Sequence, residues 1–326
     1  MTERSFIQRR EGFWQEFEGV LSGGRKQLAA RAGWFPQGFR ELTQDLNTAR
    51  VHGFDPQLVE RLNRLVLEGN QLLYGQHDWS PKPFILFIIR TFPQKVRAQW
   101  RGLGAACLIF YGLVFFSALL CIRFPDLVYE LLPESQADDL EMMYDPAGEH
   151  FLVPRDVGTD ADMFGFYIYN NISIAFRTFA AGILGGIGSL FMLAVNAVFL
   201  GAAAGHLINR GLGNTFFPFI IGHGSFELTA IIISAQGGLL LGYRFFITRG
   251  LSRGASLRAA GRDALPLISG AALMLLIAAV IEAFWSSRYG FPQPLRYGAG
   301  ISGWILLLLY FLFAGRGKRK KDGPGL

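Results

Sequence analysis

The sequence predicts an all-α protein: a polytopic membrane helix bundle of about six membrane-embedded segments, preceded by an N-terminal cytoplasmic helical bundle. Three observations carry this. Apolar residues make up 51% of the chain, and several uncharged runs reach the length needed to cross a hydrocarbon core, LGAACLIFYGLVFFSALLCI (103–122) most plainly. Residues 4–75, by contrast, alternate charge with apolar residues at helical spacing. The third is a charge asymmetry: residues 1–101 hold 15 Lys/Arg against 10 Asp/Glu, whereas residues 123–162 hold Arg123 and Arg155 against 11 acids.

In chain order, residues 1–80 read as a cytoplasmic helical bundle. Phe6, Phe13, Phe17 and Leu21 share one helical face, as do Phe39, Leu42, Leu46 and Ala49, and then Val59, Leu62 and Val66. Glycines between them punctuate the helices, and Asp55 before Pro56 marks a helix start. Residues 1–20 carry acids and arginines with no apolar core, so the expectation is no cleavable signal peptide, with the first spanning segment acting as its own signal. Residues 81–101 (PKPFILFIIRTFPQKVRAQWR) are too short in their apolar part to span. With Arg90, Lys95, Arg97 and Arg101 they predict an interfacial basic helix. Residues 102–315 form the membrane domain. Its outer loop, 123–162, is acidic and long for a structureless connection, so short helices are expected in it, LVYELL (127–132) being one. Cys107 and Cys121 lie on one predicted helix about 21 Å apart and cannot pair with each other.

Charge sets the topology. Five Arg fall in 244–263 against one acid, and the tail 316–326 opens with RGKRKK. The positive-inside rule places these regions and the N-terminus in the cytoplasm, in a bacterial inner membrane. The basic stretches lack the aromatic interleaving of nucleic-acid binders, so lipid is the expected partner. A single crossing by each of 178–208 and 215–243 would give an odd total and put 244–263 outside. Two arrangements restore parity. In one, 164–208 makes two segments that turn near Gly185-Gly186-Ile187-Gly188. In the other, 162–177 is an outer interfacial helix and 215–243 is a re-entrant hairpin at Gly222-His223-Gly224. The cluster Gly182, Gly185, Gly186 and Gly188 would offer a nearly bare backbone to a neighbour.

The polar residues of these segments form the candidate site. His223 and Glu227 are four apart and share a helix face, and Glu282 lies in the run LPLISGAALMLLIAAVIEAFW (265–285). A carboxylate at mid-membrane costs about 2.5–3.5 kcal/mol, so such groups face protein or trapped water. Asn170, Asn171, Asn196 and Gln236 are further polar groups at membrane depth, with interhelical hydrogen bonding as their ordinary use. Arg177 is expected at the outer interface or paired with Glu227 or Glu282. There is no HExxH, no second nearby histidine and no cysteine on these segments, and no GxSxG elbow or P-loop. The expectation is therefore no metal, no cofactor and no catalytic residue.

The chain resembles the stage II sporulation protein M family in its long form. The resemblance rests on FRELTQDLNTAR (39–50), LNRLVLEGNQLLYG (62–75), NNISIAFRTFAAGILGGIGSLFMLAVNAVFLG (170–201), GHGSFELTAIIISAQGGLLLG (222–242) and VIEAFW (280–285). The HG-x-x-E element followed by a Gly-rich stretch and a later Ile-Glu is the specific part. The chain departs from the pattern at Asn196-Ala197, where Asn-Gly is expected. The resemblance implies a multi-pass protein that holds protein partners: peptidoglycan-remodelling enzymes, as for the sporulation member, or a MoxR-type ATPase, as for the long form. A homo-oligomer is also admitted. The resulting expectation is a non-enzymatic scaffold. The alternatives are a proton-coupled transporter or channel using His223, Glu227 and Glu282 with broken helices at Gly222–Gly224 and Gly185–Gly188, and a metal-dependent intramembrane hydrolase.

Overall fold

A computed structural model describes residues 2–23, 31, 33–74, 80–148, 157–288 and 290–316. The chain divides into two compact units, Met1–Lys82 and Pro83–Leu326.

The first unit contains helices α1 (Glu3–Ser22), α2 (Phe35–Val51) and α3 (Pro56–Tyr74). Asp55 caps α3, its Oδ1 accepting from the Gln57 amide at 2.8 Å, and Gly53 makes the preceding turn at φ +62°. The core is Trp14, Phe17, Phe35, Leu42 and Leu62, all fully buried. The predicted faces enter it, with Leu58 and Leu65 added on α3. Trp14 is the buried aromatic that the Phe6-Phe13-Phe17 spacing passes over. Its indole N–H donates to Asp45 Oδ2 at 2.8 Å, and the same oxygen accepts from Arg10 Nε at 2.7 Å.

Arg61 on α3 forks to Glu11 and Glu18 on α1, each at 3.0 Å. The hydrogen bonds from Arg61 lower the Glu11 pKa below its ordinary value. A carboxylate stabilised only in the folded state contributes fully above its unfolded pKa, and loses that contribution as pH falls through the folded value. Acidifying below the ordinary carboxylate range is therefore expected to destabilise this unit, and Arg61→Gln is expected to flatten that dependence. Thermal midpoints of both proteins across acid pH measure it. Parallel curves would refute a role for the pair.

The second unit begins with α4 (Lys82–Leu86), which runs through a π-helical turn (Phe87–Thr91) into α5 (Phe92–Ala98). It continues with α6 (Trp100–Arg123), α7 (Leu127–Leu131), α8 (Glu134–Tyr144) and α9 (Val157–Ala180), the last followed by a 3-10 turn (Ala181–Ile183). Then come α10 (Ile187–Asn209), α11 (Gly213–Phe246), α12 (Arg253–Ile281), which ends in a π-helical turn (Glu282–Ser286), and α13 (Gln293–Phe313). Helices α6, α10, α11, α12 and α13 are each long and apolar enough to cross a membrane. At 24 residues α9 spans about 36 Å and packs against α11 and α12. Three of its polar residues, Asp160, Asn171 and Thr178, are buried, while Phe166, Tyr169 and Phe176 are exposed.

In its helices the chain follows the first of the two arrangements, with α10 apolar enough to cross a membrane and α9 not reaching that measure. Residues 164–208 fold as α9 and α10 around the turn at Gly185 (φ +69°) and Gly186 (φ +83°), left-handed positions that glycine takes without cost. The re-entrant hairpin is not formed, because α11 runs unbroken through Gly222-His223-Gly224, and residues 162–177 are part of α9, not an outer interfacial helix. A glycine in a helix costs only about 1 kcal/mol, whereas an opened backbone at membrane depth leaves unsatisfied polar groups that each cost several times more.

Central helix α11 packs against α6, α9, α10, α12 and α13. Close approach depends on glycine. A Cβ on Gly182 would overlap the Gly238 backbone, and one on Gly201 or Gly205 would overlap α6 at Val114 or Ala118. Ala197, at the departure from the Asn-Gly pattern, is fully buried beside Ala106, Phe110 and Leu193, so the extra methyl is packed there. Both cysteines are free thiols.

Segment 81–101 is not one interfacial helix. Phe84, Ile85, Leu86 and Ile89 are exposed, but Phe92 and Val96 are buried in a cluster with Ala230, Ile233, Leu267 and Ala271. Phe92 seats on Gly270, and Arg97 closes the end of α13 by donating to the carbonyls of Phe311 and Ala314 at 2.7 Å each.

The two ends of this bundle differ in charge. One end gathers Lys95 and Arg244 around Asp263, with Lys95–Asp263 at 2.8 Å. The other carries α7 and α8 from the acidic segment. Of that segment, 149–156 lie outside the described residues, as do 317–326 of the basic tail.

Candidate functional site

The site is assembled at the contact of α11 with the end of α12. His223 and Glu227 are one turn apart on α11, with Nε2 to Oε2 at 3.6 Å. Glu282 opens the π-helical turn of α12, and Ser286 closes it. One ligand atom from each of His223, Glu227 and Glu282 lies within 4.8 Å of the others. A π-turn widens the helix by one residue and re-aims its side chains, which is why such turns recur at functional sites. Here it brings Ser286 Oγ to 3.0 Å from His223 Nδ1 while Glu282 faces the same pocket. Gly222 permits the approach, since a Cβ there would lie 2.8 Å from Ser286 Oγ. Phe219 sets the imidazole plane by an edge contact at 5.2 Å.

His223, Glu282, Ser286 and Arg296 are buried, and Glu227 is nearly so. The Arg296 guanidinium donates to the Ser286 carbonyl from the start of α13, so three helices meet at this point. An imidazole and two carboxylates in such a setting can share protons, accept a cation, or lock the helices by hydrogen bonds. These three residues are also the ones that could hold a metal.

The other polar residues singled out in the sequence do not join this cluster. Gln236 is buried, and its Nε2 donates to the carbonyls of Val96 (2.8 Å) and Gln99 (3.1 Å) where α5 breaks before α6. Asn196 bonds back to the Met192 carbonyl at 2.7 Å. Asn170 donates to Asn171 at 3.0 Å, and Asn171 is buried on α9. Arg177 is not paired with Glu227 or Glu282. It is exposed near the end of α9 that leads into the Gly185-Gly186 turn, and that turn packs on Gly242 at the basic end of the bundle. Its position follows the positive charge of that end.

A second polar locus, on the acidic end, escapes the sequence reading. Buried His206 meets Glu141 at 2.8 Å, and Arg210 bonds the same carboxylate oxygen at 2.8 Å. Asn209 donates to the Cys121 carbonyl, and Thr215 to the Tyr144 carbonyl. The Glu141 and Tyr144 bonds fasten α8 onto α10 and α11, and the Asn209 bond ties α10 to α6. Arg288 and buried Asp160 make a further ion pair at 3.0 Å between α9 and the segment after α12.

Comparison with known proteins agrees with the membrane unit. A family model described as Stage II sporulation protein M matches residues 103–287, more than half of the chain, and takes in His223, Glu227, Glu282 and Ser286. A domain of unknown function (DUF8413) matches residues 4–75. No curated protein and no solved structure matches the chain. A match of that extent over an all-helical, multi-pass bundle places the chain in the stage II sporulation protein M family of membrane proteins.

Proposed function

We propose that this protein is a non-enzymatic scaffold of the bacterial inner membrane, with its basic end and both termini cytoplasmic and its acidic end outside. The observation that carries the reading is the structure of the acidic segment. Residues 124–148 are not a solvated tether. They form α7 and α8, locked to α10 by His206, Arg210 and Glu141. On this platform Tyr129, Met142 and Met143 are exposed among acidic side chains. Apolar residues held on a rigid, charged surface are what a docking face requires. The positive-inside rule supports the orientation. A transport mechanism built on a broken α11 draws no support, because that helix is continuous.

The scaffold would hold peptidoglycan-remodelling enzymes on the platform and a MoxR-type ATPase on the N-terminal unit. A photo-crosslinking residue at Met142 or at exposed Val51, activated in native membranes and followed by mass spectrometry, tests this. Capture of such an enzyme from Met142 or of the ATPase from Val51 is expected. Glu141→Ala should cut capture at Met142 severalfold and leave capture at Val51 unchanged. Self-crosslinks alone in a well-expressed sample would overturn the reading.

A further inference from the structure

Charged groups taken out of water are paired, neutralised or bound to a metal. We propose that His223, Glu227 and Glu282 bind one divalent first-row transition-metal ion, of the zinc, manganese or iron(II) class. The inference stands apart from the scaffold reading, since an ion here would clamp α11 to α12 whatever the protein holds at its ends.

Geometry supports it first. A tetrahedral ion with bonds of about 2.0–2.2 Å spaces its ligand atoms by about 3.3–3.5 Å. His223 Nε2 and Glu227 Oε2 stand 3.6 Å apart, and the third ligand atom is within 4.8 Å of both. Binding would draw the wider pair in to that spacing by side-chain movement. The second support is the surrounding shell. In the tautomer whose Nδ1–H donates to Ser286 Oγ, 3.0 Å away, His223 turns the lone pair of Nε2 toward the carboxylates, the arrangement that metal-binding histidines adopt. Ser286 is itself fixed, its carbonyl accepting from Arg296.

Charge is the third. A dication offsets two carboxylates that would otherwise be desolvated together at membrane depth. The ligand set decides the class of metal. Calcium asks for six to eight oxygens and magnesium keeps most of its waters, whereas one imidazole with two carboxylates and room for a fourth ligand suits a transition ion. The π-turn and Gly222 are the backbone features that let the ligands meet. The sequence argument against metal rested on the absence of HExxH, of a second nearby histidine and of a cysteine on these segments. A carboxylate from another helix supplies the missing ligand.

The test uses the full chain, purified in detergent without chelator and with any affinity tag removed. Elemental analysis is expected to show one transition-metal ion per chain. After stripping, cobalt(II) should restore one equivalent with visible d–d absorption and raise the thermal midpoint. Glu282→Gln should abolish the absorption. Ser286→Ala, which keeps all three ligands, should weaken cobalt affinity about 10–100-fold. Folded wild-type protein that carries no metal and gives neither cobalt absorption nor a midpoint shift would overturn the site. So would wild-type cobalt binding by a folded Glu282→Gln protein, which would place the ion elsewhere.

Discussion

Gly182→Val is expected to abolish the folded protein or lower its stability by about 3 kcal/mol or more. The residue lies in the 3-10 turn between α9 and α10, and a Cβ there would overlap the backbone of Gly238 on α11. Neither side can yield easily. Gly238 is held by Ser189 and by the Phe179 carbonyl, and Ser189 Oγ donates to the Thr178 carbonyl at 2.5 Å. Relief would require the turn to lift off the central helix, parting the seam that continues through Gly186 and Gly242. Packing of this kind is the main force between helices in lipid, because apolar surface gains little by leaving one hydrocarbon for another. Size-exclusion elution of detergent-solubilised protein, before and after a heating series, is the measurement. Loss of the monodisperse peak or a lower midpoint is expected. Gly112→Ala is the control: a Cβ there meets nothing within 4 Å, so the change should be neutral or stabilising by up to about 1 kcal/mol. A wild-type midpoint for Gly182→Val would refute the seam.

The helical class, the spanning runs and the short helices of the acidic segment were legible because each depends on local pattern. The glycine cluster at 182–188 was legible as a close-approach surface, but not its partner, since Gly238 and Gly242 belong to a helix two elements later. The same limit governs the site. The (i, i+4) pairing of His223 with Glu227 follows from helix periodicity. That Glu282 joins them depends on the packing of α11 on α12 and on a π-turn that no propensity reveals. Ser286 carried no signal at all, being one serine near the end of an apolar run. Gln236 was visible as a costly polar group at depth, yet its partners are backbone carbonyls at the Gln99 break, which side-chain patterning does not encode. His206 and Glu141 meet only because α8 folds back onto α10. Which end of the bundle Arg177 reaches depends on the course of α9, which the two open topologies left undecided.

Phe17→Ala is expected to unfold the first unit while leaving the second intact. Phe17 is fully buried, stacked on Phe35 with centroids 4.9 Å apart and flanked by Phe13 and Trp34. It also fills the space that Gly38 and Gly69 leave open. Truncating a buried phenylalanine costs about 3–5 kcal/mol, the lost transfer energy adding to the cavity. A unit of this size has a total stability of about 4–12 kcal/mol at the usual 0.05–0.15 kcal/mol per residue, so the loss is comparable with the whole. The same truncation among lipid-facing helices would forfeit contacts but little transfer energy, which is why the larger effect is placed here and not at a membrane phenylalanine such as Phe110. Hydrogen–deuterium exchange on the full chain resolves the two units. Protection should fall in 3–22 and 35–74 and stay unchanged in 100–123 and 213–246. Unchanged protection in the first set would mean that Phe17 does not carry the core assigned to it. Loss in both sets would mean that the two units fold as one.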